Sequence, residues 1–163
     1  MKKVLIFGNS GAGKTTLANK LSQKFTLSHL DLDVLAWLKT QPPKRKLLDE
    51  SIGAIDDFLS DKTSWVIEGC YSDLLGYVSN QANEMIFLNP GIDACIKNCE
   101  NRSWEPHKYN SKQEQDNNLN MLIEWVKGYE TRDDEFSLKS HMSLYELFKG
   151  NKTIVNSGEI YSF

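Results

Sequence analysis

The chain has 163 residues, 40% of them hydrophobic and 25% charged, which suits one soluble domain with a sizeable core. No apolar run approaches the roughly 20 residues of a membrane span, and the short run after Lys3 lacks the ~7–15 residues of a secretory core, so a cytoplasmic protein is expected. A net charge of −3 offers no overall field for nucleic acid, so direct nucleic-acid binding is not expected. Cys70, Cys95 and Cys99 lack Cys-x-x-Cys spacing and read as reduced thiols rather than a zinc site.

Residues 1–30 hold five lysines and no acid, a distribution that suits a small polyanionic ligand. Val4 to Phe7 is a continuous apolar run stopped by Gly8, the pattern of a strand buried on both faces. Leu17, Ala18, Leu21 and Phe25 then recur at helical spacing, which predicts a helix over Lys14–Phe25. Between them Gly8, Asn9, Ser10, Gly11, Ala12, Gly13, Lys14 and Thr15 fit G-x-x-x-x-G-K-[ST] without a mismatch. Glycines there permit φ > 0 and bring backbone N–H groups around phosphate oxygens, and the helix N-terminus adds its dipole. Lys14 is expected to reach the β/γ-phosphates of ATP and the Thr15 hydroxyl to ligate Mg²⁺, with Thr16 completing the cradle.

Further strands are predicted at His29–Asp33, Trp65–Gly69, Glu84–Pro90 and Lys152–Asn156. Helical patterns fall at residues 47–59, 92–99, 119–129 and 138–148. Alternating strands and helices imply right-handed crossovers and a parallel sheet covered on both faces, an α/β fold. Residues 103–118 form one long polar segment, either a lid or a solvated loop.

Ligands of open α/β sheets sit at the carboxyl ends of the strands, where Asp31, Asp33 and Glu68 fall. Such converging carboxylates call for a cation or substrate hydroxyls between them. Glu68 is expected to hold Mg²⁺, or to be a solvated strand end; Asp31 can share that duty or Asp33's. Asp33 is expected to bind or deprotonate the attacking hydroxyl, or else to cap the helix before Val34. The chain has three arginines, Arg45, Arg102 and Arg132. Arg102 and Arg132 flank the polar segment, where a lid would bring them onto phosphates, or Arg132 pairs with an acid such as Asp133 or Asp134. Arg45 lies in the insert where an acceptor would dock.

With F-G-N-S-G-A-G-K-T-T-L-A, H-L-D-L-D-V-L-A-W, W-V-I-E-G-C-Y and I-F-L-N-P, the chain resembles the nucleoside-monophosphate-kinase and shikimate-kinase group of small P-loop kinases. More narrowly, it is similar to bacterial topology modulation proteins, described as adenylate-kinase-like ATPases. The resemblance implies one P-loop kinase-like domain over 1–163. Its three layers would hold a five-stranded parallel sheet in the order 2-3-1-4-5, an acceptor insert at 34–63 and a lid at 103–118. It places adenine near Ser157 and Gly158 and casts Asp33 as the acceptor ligand. Glu68-Gly69 continues as Cys70-Tyr71-Ser72, without the arginine that nucleotide kinases carry there.

The expected activity is ATP-dependent phosphoryl transfer to a small acceptor by a monomer or weak dimer, with Lys14, Asp33, Arg102 and Arg132 as catalytic residues. The alternative is a regulatory ATPase acting through a protein or DNA partner.

Overall fold

In the chain's computed structural model, which describes residues 1–40 and 42–157, the predicted alternation becomes a five-stranded parallel sheet. Strand β1 (Lys3–Gly8) leads through the glycine-rich turn into helix α1 (Lys14–Phe25), and β2 (Ser28–Asp31) follows. A short helix α2 (Asp33–Ala36), a two-stranded hairpin of β3 (Trp37–Leu38) and β4 (Lys44–Arg45), and helix α3 (Leu48–Leu59) form the insert before β5 (Trp65–Gly69). Helix α4 (Ser72–Val78) and a 3-10 turn lead to β6 (Glu84–Asn89). Helices α5 (Ile92–Glu100), α6 (Lys112–Lys127) and α7 (Leu138–Leu147) precede the edge strand β7 (Asn151–Asn156). The sheet order is β2-β5-β1-β6-β7, the order 2-3-1-4-5 counted over the strands of this sheet.

Alternation along β1 divides the core. Leu5 and Phe7 face one side with Ile67, Ile55 of α3, Leu74 of α4 and Leu144 of α7. Val4 and Ile6 face the other with Leu17 and Leu21 of α1, Cys95 and Cys99 of α5 and Val126 of α6. The central strands are therefore apolar on both faces, as a sheet covered by helices on both sides requires. Among the described residues no helix is long and apolar enough to cross a membrane.

Three local expectations are corrected. Strand β2 stops at Asp31 rather than Asp33, because the Asp31 carboxylate accepts from the Asp33 amide (2.9 Å) and the Leu32 amide donates to the Glu68 carbonyl (2.9 Å). Asp33 consequently opens α2 instead of alternating along a strand. The polar segment is helical from Lys112 onward: Ser111 accepts from the Glu114 amide (3.1 Å), and Glu114 accepts from the Asn110 amide (3.0 Å), close to a capping box.

Candidate functional site

The loop between β1 and α1 takes its shape from three glycines and two asparagines. Gly8, Gly11 and Gly13 adopt φ of 153°, 78° and 93°, and the last two lie where only glycine is unstrained. A Cβ at Gly8 would lie 2.2 Å from the Leu88 carbonyl oxygen, and one at Gly11 would lie 2.3 Å from that of Cys95. The loop is thus clamped against β6 and α5. Asn9 is buried; its side chain accepts from the Ser10 amide (2.9 Å) and donates to the Val126 carbonyl at the end of α6 (3.2 Å). Asn98 of α5 donates to the Gly11 carbonyl (2.8 Å). Lys14 folds back to donate to the Asn9 carbonyl (2.8 Å), while Ala12 is buried and Thr16 exposed. Gly13 is the N-cap of α1, and no side chain caps that helix end, so its first amides remain available to an anion.

Beside the loop, Asp31 and Glu68 are register partners at the carboxyl ends of β2 and β5. His29 Nε2 stands 3.4 Å from Glu68 Oε1. Glu68 is 1% exposed, and its Oε1, like Asp31 Oδ2, is buried without a hydrogen-bond partner. Burial first, then the charges of Asp33 and Glu68, raise the Asp31 carboxyl above its ordinary value, against the pull of Lys108. Two such orphaned oxygens fit a cation or a donor brought in from outside. Among the described residues no three His, Cys, Asp or Glu side chains are arranged to hold a metal. Asp31 and Glu68 supply two carboxylates, which fit an ion that brings most of its ligands with it, as Mg²⁺ bound to a nucleotide does.

The polar segment reaches this cluster. Lys108 Nζ lies 2.8 Å from Asp33 Oδ2, 3.6 Å from Asp31 Oδ2 and 3.5 Å from Glu105 Oε1, and His107 stands 3.7 Å from Asp31. Burial opposes the Lys108 charge, yet Asp33 and Asp31 raise its pKa overall and keep the ammonium ionised. Burial likewise opposes ionisation of Asp33, but Lys108, the Tyr71 hydroxyl and the Lys14 charge together hold its carboxyl below the ordinary range. Asp33 is therefore an ionised carboxylate between the polar segment and the loop. Nothing in the composition of 103–118 marked Lys108 out, because its partners are some 75 residues away in the chain.

Behind Asp33 stands an aromatic wall. Tyr71 donates to Asp33 Oδ1 and accepts from Trp37 Nε1 (2.7 Å). The Arg45 guanidinium lies 4.9 Å from the Tyr71 ring centre and 5.5 Å from that of Phe136. Its two terminal nitrogens hold Glu135 (2.9 Å) and Asp73 (3.3 Å). Arg102 pairs with Glu105 (3.4 Å). Arg132 donates to the Trp125 carbonyl, stacks 3.8 Å from the Trp125 ring centre and lies 3.2 Å from Asp134. The structure thus brings the loop, Asp31, Asp33 and Glu68 together, while Arg102 and Arg132 engage neighbouring acids instead of the loop. Ser157 is exposed after β7, and the expected Gly158 lies outside the described residues.

A family model described as RNA helicase matches residues 4–88. Among curated proteins none matches the chain by sequence. Among solved structures, a gluconokinase from Sinorhizobium meliloti 1021 aligns at a TM-score of 0.58 and 12% identity, covering 98% of this chain and 84% of its own. An uncharacterised protein from Eubacterium ventriosum ATCC 27560 aligns at 0.51 and 16% identity, covering 96% and 89%. These likenesses establish the fold, an α/β architecture shared with P-loop kinases.

Proposed function

Because the chain belongs to the RNA helicase family, we propose that it is an ATP-using enzyme, and that its reaction is transfer of the γ-phosphoryl group to a small acceptor held at Asp33. The family match ends within β6, so it covers the phosphate loop and the acid-bearing strands, machinery that motors and kinases share. What supports phosphotransfer is the contact made by the other half: Lys108 seats itself on Asp33 and Asp31, so the C-terminal half of the chain reaches the acids beside the loop.

Backbone amides from Asn9 to Thr16 would cradle the phosphates, and Lys14 would leave the Asn9 carbonyl to meet the β/γ oxygens. Magnesium, when bound, neutralises charge on the transferred group; Thr15, Asp31 and Glu68 would hold it. Asp33, ionised in this setting, would orient the acceptor hydroxyl and take its proton. Arg102 and Arg132 would contribute only after exchanging Glu105 and Asp134 for phosphate oxygens. Ser157 and Gly158 are proposed beside the base. The finer likeness to topology modulation proteins belongs to the same reading. So do the cytoplasmic location, the monomer or weak dimer, and the 34–63 and 103–118 divisions.

The test measures ADP release from Mg-ATP with a panel of small acceptors, using Lys14→Ala as blank. Acceptor-dependent release that the substitution abolishes is expected. Release indifferent to every acceptor counts against the reading. A second reading, an ATP-driven motor on RNA, is favoured by the family description; it predicts ADP release stimulated by single-stranded RNA with a steep salt dependence.

A further inference from the structure

We propose that the acceptor carries no negative charge: it is a polyhydroxy or amine-bearing alcohol rather than a carboxylated or phosphorylated one. The inference rests on the phosphotransferase reading and concerns which acceptors the Asp33 site admits.

Recognition of an anion needs a cation with donors to spare, in practice an arginine fork or an uncommitted lysine. Around Asp33 the described arginines and lysines are already matched. Both terminal nitrogens of Arg45 are taken by Glu135 and Asp73, so its charge is balanced twice before any ligand arrives. Lys108 is shared among Asp33, Asp31 and Glu105. Arg102 is turned to Glu105. Lys14 belongs to the phosphate loop.

The same surroundings are rich in acceptors that lack donors. Glu68 Oε1 and Asp31 Oδ2 are buried with no hydrogen-bond partner, and Glu68 as a whole is 1% exposed. A carboxylate or phosphate brought here would add a like charge to this cluster. Magnesium would take those two oxygens, and a hydroxyl or ammonium group at Asp33 adds no further negative charge beside them. The cluster also shows how it holds an ammonium: Lys108 Nζ occupies such a seat, 2.8 Å from Asp33. Arg45 Nε is a buried donor without a hydrogen-bond partner, but it belongs to a guanidinium whose charge its two carboxylates already offset.

The experiment compares four acceptor classes at equal concentration with Mg-ATP and the full chain: neutral polyols, amine-bearing alcohols, sugar acids, and phosphorylated sugars or nucleoside monophosphates. Phosphorus NMR identifies the phosphorylated product. The expected result is kcat/KM at least about 100-fold higher for a neutral or amine-bearing acceptor than for any anionic one. Freeing the Arg45 fork by combining Asp73→Asn with Glu135→Gln should narrow that gap to within about 10-fold, with Mg-ATP affinity by calorimetry unchanged. A preferred anionic acceptor in the parent chain would overturn the charge assignment and leave phosphotransfer intact. An unchanged gap in the double variant would overturn the role given to the matched Arg45. ADP release indifferent to all four classes would remove phosphotransfer and the inference together.

Discussion

Gly11 and Gly13 share a left-handed backbone, at φ 78° and 93°, but their surroundings separate what alanine would do at each. At Gly13 a Cβ meets nothing within 4 Å, so Gly13→Ala pays only backbone strain, about 1–2 kcal/mol. At Gly11 the new Cβ would lie 2.3 Å from the Cys95 carbonyl and 2.8 Å from Cys99 Sγ. The loop must then move off α5 and give up the Asn98 bond to the Gly11 carbonyl. Urea unfolding should show a larger loss for Gly11→Ala than for Gly13→Ala. Equal losses would mean that strain rather than contact fixes the loop. Lys14→Ala is a different kind of change: its half-exposed ammonium donates to the Asn9 carbonyl. Stability should be nearly unchanged while acceptor-dependent turnover falls about 100- to 1,000-fold, the scale of losing one preorganised charge contact.

Helix α7 carries a buried histidine on its core side. His141 is fully buried, with Nε2 2.8 Å from the Cys70 carbonyl and Nδ1 2.7 Å from the Tyr129 hydroxyl. A carbonyl only accepts, so Nε2 carries the proton and Nδ1 accepts from Tyr129. The neutral ring also meets Phe7 edge-on at 5.4 Å. Burial drives its pKa from 6.5 down to about 4. The unfolded chain therefore binds a proton that the folded chain refuses. The contribution is fully present above pH 6.5 and drains as pH falls toward 4, roughly 3 kcal/mol in all. Urea midpoints taken between pH 7 and 4.5 should fall steeply in the parent and more gently in His141→Gln. Equal slopes would assign the loss to other groups.

These elements were unevenly legible beforehand. Helix α1 and strand β5 follow from local pattern alone, because their apolar periodicities are uninterrupted and glycine ends each neighbouring turn. Helix α4 was not anticipated: Leu74, Leu75 and Val78 are too few to establish a period. The start of α6 was hidden by a polar stretch whose only signal is the cap at Ser111. Of the site, the phosphate loop could be read because it is contiguous. Lys108, Tyr71, Trp37 and His29 could not, since each acquires meaning only from a partner distant in sequence. Rarity singles out Arg102 and Arg132 but does not place them: the pairing of Arg132 with Asp134 is legible from their closeness in the chain, whereas that of Arg102 with Glu105 is not read from the sequence.

For the molecule as a whole, the phosphate loop is not a property of the first 88 residues. Asn9 is tied to the end of α6 and Gly11 to α5, and Lys108 ties the segment between those helices to Asp33. A ligand that orders the loop must therefore be felt in residues 92–127. Mg-ATP at about 100 times its Kd stabilises by about 2.7 kcal/mol, which for a chain of this size raises Tm by about 5–10 °C. Lys14→Ala should lose most of that shift. Hydrogen exchange locates the gain: protection is expected both at the loop and start of α1 and in α5 and the end of α6. Asn98→Ala should confine the protection to the loop by cutting the tie to α5. Protection already confined to the loop in the parent chain would show that the two halves bind independently, and the contact that Lys108 makes with Asp33 would then owe nothing to the nucleotide.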